Sequence, residues 1–122
     1  MITTTPQPPR IAPCREAFVT TPEVRLRYLE WGDAGAMPLL LLHGIGQTAH
    51  TWAYFATAMQ DHFRVLAIDQ RGHGDSGWAP DGDYSPAAHG RDLDALILQL
   101  KLEEFALVGF SMGGGKAMWL TD

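Results

Sequence analysis

The chain has 122 residues, 46% apolar and 19% charged, enough for one domain around a single core. Its formal net charge of -5 excludes a basic patch able to neutralise nucleic-acid phosphates or to dock on an anionic membrane. A single cysteine, Cys14, excludes an intramolecular disulfide and a cysteine zinc cluster.

Residues 1–14, "MITTTPQPPRIAPC", are rich in Pro and Thr and are expected to form a flexible tail. They lack the charged and apolar regions of a secretory signal, and the longest apolar run, "MPLLLL", is too short to span a bilayer. A cytoplasmic protein is the default expectation. "EAFVTTPEVRLRYLEWGD" predicts two strands joined at Thr21-Pro22 as an antiparallel hairpin. In the second, Val24, Leu26 and Tyr28 alternate with Arg25, Arg27 and Leu29, the period of a strand with one partly polar face. "GDAGAMP" is a turn.

"PLLLLHG" follows as a continuous apolar strand of the kind buried on both faces. In "HTWAYFATAMQDHF", Trp52, Phe55, Ala56 and Met59 fall on one helical face. "RVLAID" is a second buried strand, and "QRGHGDSGWAPDGDYS" a long polar loop. "SPAAHGRDLDALILQLKL" predicts a helix capped by Ser85, with Pro86 in its first turn and Leu93, Leu96, Ile97 and Leu100 as its buried stripe. "EFALVGF" is a third buried strand, after which a helix is expected from near Met112. Strands alternating with helices predict an α/β fold: a mostly parallel sheet with flanking helices, begun by an antiparallel hairpin.

Three glycine-rich stretches compete as sites. "GHGDSG", Gly72 to Gly77, fits a dinucleotide fingerprint, but turn residues follow it where a helix should open. "GFSMGGGK" fails the phosphate-loop pattern. With Gly115-Lys116 as its G-K pair, Phe110 stands in place of the first glycine and Ala117 in place of the metal-binding hydroxyl. Gly109-Phe110-Ser111-Met112-Gly113 fits G-x-S-x-G at a junction of strand and expected helix. Such a turn holds a serine hydroxyl out at the top of a sheet. A plain helix cap is the alternative use of Ser111. Upstream, His43-Gly44-Ile45-Gly46 ends a buried strand, where a turn can present the Ile45 N–H beside the Met112 N–H as an oxyanion hole. An ordinary strand-end turn is the alternative there.

Taken together, "LLLLHGIG", "AIDQRGHGDS" and "LVGFSMGG" resemble, in this order, the oxyanion strand, the D-x-R-G-x-G-x-S loop and the nucleophile elbow of the α/β-hydrolase fold family. The likeness runs from about Phe18 to the end, and it implies that residues 15–122 are the N-terminal half of such a domain. It implies Ser111 as nucleophile, the backbone N–H groups of Ile45 and Met112 as oxyanion hole, and His43, Gly44, Gly109 and Gly113 as supporting turn residues. Asp69, Arg71 and Gly72 would support a loop near the site. Gln47, His50 and Trp52 follow the oxyanion turn, as pocket, surface or core residues. The implied reaction is acyl transfer on a small ester, lactone or C–C bond, with no metal or organic cofactor. The partner would be a small-molecule substrate, not nucleic acid or membrane. Serine at the elbow argues against the dehalogenase and epoxide hydrolase branches, which use aspartate there.

In this family the catalytic acid and histidine follow the nucleophile. After Ser111 only Asp122 is available and no histidine, so both are expected beyond residue 122 and not among the upstream histidines. The 122 residues alone are expected to leave the strand ending at Phe110 with an open edge, to be marginally stable and to be almost inert. Two other classes remain: a non-catalytic ligand-binding protein on the same fold, and a nucleotide-binding domain. Nothing in the sequence sets the oligomeric state.

Overall fold

The computed structural model describes residues 10–110 and 117–121, with side chains described through residue 109. Six strands form one sheet: β1 (Arg15–Thr20), β2 (Arg25–Trp31), β3 (Met37–Leu42), β4 (Phe63–Ile68), β5 (Ala106–Phe110) and β6 (Ala117–Thr121). Their spatial order is β1-β2-β4-β3-β5-β6. The three central strands β4, β3 and β5 are parallel. The pairings β1–β2, β2–β4 and β5–β6 are antiparallel. A 3₁₀ turn (Ala49–Trp52) runs into α1 (Ala53–Met59) between β3 and β4, and α2 (Pro86–Gln99) lies between β4 and β5.

Alternation along the central strands divides the core. Leu39, Leu41, Val65 and Ala67 point to one face and pack with Ala49, Trp52, Ala53 and Ala56. Leu40, Leu66, Ile68 and Leu107 point to the other and pack with Leu96, flanked by Leu93, Ile97 and Leu100. One helix therefore covers each face, which is why strands β3 and β4 are apolar without alternation. Burying each such leucine contributes roughly 1.5–3 kcal/mol. Ser85 caps α2 as its sequence predicts, its Oγ accepting the Ala88 N–H at 3.2 Å, with Pro86 in the first turn.

The structure differs from the sequence-based expectation at five places. The buried stripe of the first helix begins at Ala49, so Ala53 takes a buried position and Phe55 is displaced to the rim, 39% exposed. On the partly polar face of β2 only Arg25 is exposed: Leu29 is buried, and Arg27 is covered because Asp69 meets it at 2.8 Å, while on the other face Glu30 is covered where Arg64 meets it at 2.7 Å. The segment Ala117–Thr121, expected to be helical, is strand β6. Its residues "AMWLT" mix aromatic and β-branched side chains that suit a strand. Finally, β5 has no open outer edge, because β6 pairs along it from Ala106↔Thr121 to Phe110↔Ala117. That pairing satisfies backbone groups which an open edge would leave without protein partners. Within the expected tail, Ala12 is docked: its N–H donates to Thr57 Oγ1 at 2.9 Å, and its carbonyl accepts from Trp31 Nε1 at 3.1 Å.

Candidate active site

The parallel registers bring three strand ends to one level. Leu42, the last residue of β3, is the partner of Ile68, the last of β4, and of Gly109 in β5. The chain leaves β3 toward α1 on one face and leaves β4 toward α2 on the other. Open α/β sheets bind ligands in the crevice where neighbouring connections diverge in this way. Gly109 lies against β3 so closely that a Cβ there would sit 3.0 Å from that of Leu42. A larger residue would push β5 and whatever follows it away from the β3 end.

The turn after β3 is held from within and from below. His43 is fully buried. The Gln70 N–H donates to its Nε2 at 3.0 Å, so the ring proton resides on Nδ1, which donates to the Gly44 carbonyl at 2.8 Å. The Gln70 side-chain amide returns a bond to the His43 carbonyl at 2.6 Å. Burial holds the His43 pKa below the ordinary histidine value, keeping the ring neutral. Both ring nitrogens are thus engaged in fixing the turn. Gln47 closes it: its Oε1 accepts the Gly44 N–H at 2.8 Å and its own N–H donates to the Gly44 carbonyl at 3.1 Å. Ile45 stands at the tip, 67% exposed, and no described residue accepts from its N–H.

The loop after β4 supports this turn. Asp69 is fully buried, and its Oδ1 accepts the Ala49 N–H at 2.7 Å. Its Oδ2 accepts Arg27 Nε at 2.8 Å and the Asp75 N–H at 3.0 Å. Arg27 also meets Glu16 at 3.0 Å and Asp75 at 2.8 Å. Ser76 completes the knot, accepting the Arg27 N–H at 2.8 Å and donating to the Asp69 carbonyl. Gly74 has φ +52°, and a Cβ there would lie 2.3 Å from Asp69 Oδ2. Only glycine lets the loop fold over the carboxylate. His73 stacks obliquely on His43, ring centroids 4.8 Å apart.

Farther from the sheet end, buried Arg71 makes two 2.7 Å bonds to Asp92 of α2 and donates to the Asp83 carbonyl at 2.8 Å. The hydrogen bonds to Asp92 raise the Arg71 pKa above its ordinary value against the effect of burial. On the surface, Arg91 links Glu23 at 2.9 Å and Asp83 at 3.3 Å. Its hydrogen bond holds Glu23 below the usual carboxylate range, and bonds from Ser85 take Asp83 down to about 2.

Of the residues singled out in the sequence, His43, Gly44, Ile45 and Gly109 therefore gather at one end of the sheet. Ser111, Met112 and Gly113 lie outside the described residues. Gln47 pins the turn, His50 is exposed and Trp52 belongs to the core. The acceptor role of Asp69 and the Arg71–Asp92 pair were not read from the sequence. The signal for the pair is a lone aspartate at the edge of an otherwise apolar helical stripe. Among the described residues, no helix is long and apolar enough to cross a membrane.

Comparison with known proteins places these features in context. The family model for the alpha/beta hydrolase fold matches residues 37–122. An esterase of Mycobacterium tuberculosis is 39% identical over 93 residues, which cover 76% of this chain and 30% of that protein. A 3-oxoadipate enol-lactonase of Acinetobacter baylyi is 32% identical over 103 residues, 84% of this chain and 38% of the enzyme. The structure of a candidate epoxide hydrolase from Pseudomonas aeruginosa superposes with a TM-score of 0.76 at 35% identity, covering 88% of this chain and 36% of that one. The chain thus spans about a third of the length of these relatives.

Proposed function

The chain belongs to the α/β-hydrolase fold family, and from that premise we propose that the full-length protein is a serine hydrolase working through an acyl-enzyme. Ser111 attacks the carbonyl of a small ester, lactone or C–C substrate. The oxyanion forms against the N–H groups of Ile45 and Met112, the tetrahedral intermediate collapses to expel the protonated alcohol, enol or carbon leaving group, and water then hydrolyses the acyl-enzyme to release the acid and free Ser111. The observation that carries this reading is the register of Leu42 with Gly109. It sets the ends of β3 and β5 side by side, so the His43–Gln47 turn begins beside the strand that carries Gly109 and Phe110. Ser111 is two residues beyond Gly109, and two peptide links reach at most about 7.6 Å.

In this family the acid and the histidine base follow the nucleophile along the chain. His43 does not suit the task, since its Nε2 accepts the Gln70 N–H and its Nδ1–H is held by Gly44. Relatives named as esterase and enol-lactonase support carbonyl substrates. The likeness to a candidate epoxide hydrolase fits the shared fold, while serine at position 111 favours an acyl over an alkyl intermediate. The net charge of -5 supports small-molecule substrates over nucleic acid. The test is turnover of a p-nitrophenyl ester by the full-length protein and by Ser111→Ala. The variant should lose at least about a thousandfold in kcat while keeping its melting temperature. Unchanged turnover would end the proposal.

A further inference from the structure

Of the backbone amides at the β3 turn, those of Gly44 and Ile45 are distinguished by the structure as groups to meet a negative charge at the sheet end. The Gly44 N–H is consumed by Gln47 Oε1 at 2.8 Å. The Gly44 carbonyl is occupied twice, by the His43 Nδ1–H at 2.8 Å and the Gln47 N–H at 3.1 Å. The peptide plane joining Gly44 to Ile45 is therefore clamped at its oxygen, and its N–H, that of Ile45, is fixed on the opposite side. No described residue accepts that N–H, and Ile45 is well exposed. Because an N–H must meet an acceptor, the Gln47 carboxamide has one orientation only, oxygen toward Gly44.

We propose that Gln47 is a positioning residue of the site: it takes the Gly44 N–H out of competition and locks the turn so that the Ile45 N–H, and not that of Gly44, is aimed at an anionic oxygen. The inference rests on the oxyanion reading proposed above. It adds a requirement that the reading alone does not make, namely that the group capping Gly44 be uncharged. Neighbouring amide nitrogens are close together, so a carboxylate in place of the carboxamide would stand within several ångströms of an oxyanion on Ile45. A carboxylate accepts the Gly44 N–H as well as an amide does, so the turn itself would survive.

The experiment compares Gln47→Glu and Gln47→Ala with the parent in the full-length protein. It measures melting temperature, kcat and KM on p-nitrophenyl acetate, and labelling of Ser111 by a fluorophosphonate. Gln47→Glu should keep the parental melting temperature and KM and lose roughly tenfold or more in kcat and in labelling rate. Gln47→Ala should lose both melting temperature and kcat. A residue that only builds the turn predicts parental rates for Gln47→Glu, and that result, with Ser111 labelled in the parent, overturns the proposal while leaving the acyl-enzyme reading intact. Failure of the parent to label at Ser111 overturns both.

Discussion

The Asp69 carboxylate accepts the Ala49 N–H at 2.7 Å, joining the residue after β4 to the 3₁₀ turn that follows the β3 loop. The other oxygen of the same carboxylate holds Arg27 Nε and the Asp75 N–H. Three separate segments thus converge on one buried anion. Replacing it with Asn keeps the volume but leaves a single acceptor oxygen for three donors, and sets an NH₂ against at least one of them. Asp69→Asn should lower stability by about 3 kcal/mol, read as a drop in urea midpoint. Activity should fall further than stability alone explains, because the β3 turn loses its anchor.

The glycine that folds over this carboxylate gives a second expectation. At φ +52°, with a Cβ placed 2.3 Å from Asp69 Oδ2, Gly74→Ala is both strained and crowded. A loss of about 2 kcal/mol is expected, some from the left-handed backbone and the rest from displacing the carboxylate. Since the two changes disturb the same atoms, the Asp69→Asn/Gly74→Ala double variant should lose less than the sum of the singles. Strict additivity in denaturant unfolding would contradict the shared cause.

Arg71 and Asp92 make the corresponding case for a buried pair. Arg71→Leu alone strands a buried carboxylate inside the α2 stripe and should cost about 3–5 kcal/mol. Replacing both, as Arg71→Leu/Asp92→Leu, should recover much of that loss, because no charge then remains unpaired. Equal losses in the single and double variants would show that the Arg71 contact to the Asp83 carbonyl matters more than the pair.

Buried His43 and half-buried His89 set a pH dependence. Burial lowers the pKa of both His43 and His89 below the ordinary value of 6.5. The unfolded chain therefore binds protons that the native state refuses, and stability falls as pH drops from 6.5 through the lowered native values. The paired carboxylates act lower: Asp83, near 2 in the fold, loses its contribution only as pH falls below its ordinary value of 3.8. Melting temperature should thus decline between pH 7 and 5, and the decline should be smaller in His89→Gln, whose ring does not hold the turn. A flat profile over that interval would contradict the burial argument.

Much of this arrangement was legible in the sequence because it depends on local pattern. The unbroken apolar strands, the Ser85 cap with Pro86, and the order of the three glycine-bearing motifs each follow from residues close in the chain. What was not legible depends on distant partners. Arg27 reads as a solvent-facing residue until Asp69, 42 positions away, is seen to bury it. The partner of Asp92, Arg71, lies 21 positions away in the chain. The stretch "AMWLT" pairs with β5 because that edge offers backbone partners, which helical propensity does not register. Gln47 is marked in the sequence only by its place after the oxyanion turn; its role, a bond to a backbone amide three residues before it, carries no pattern.

The central claim is that Ser111 carries an acyl group during turnover. Mass spectrometry of the full-length protein, quenched during the burst phase with a slowly released p-nitrophenyl ester, tests it directly. The account predicts one added acyl group on the peptide containing Ser111, absent in Ser111→Ala. Turnover with no adduct on that peptide, or an adduct that persists in Ser111→Ala, would contradict it.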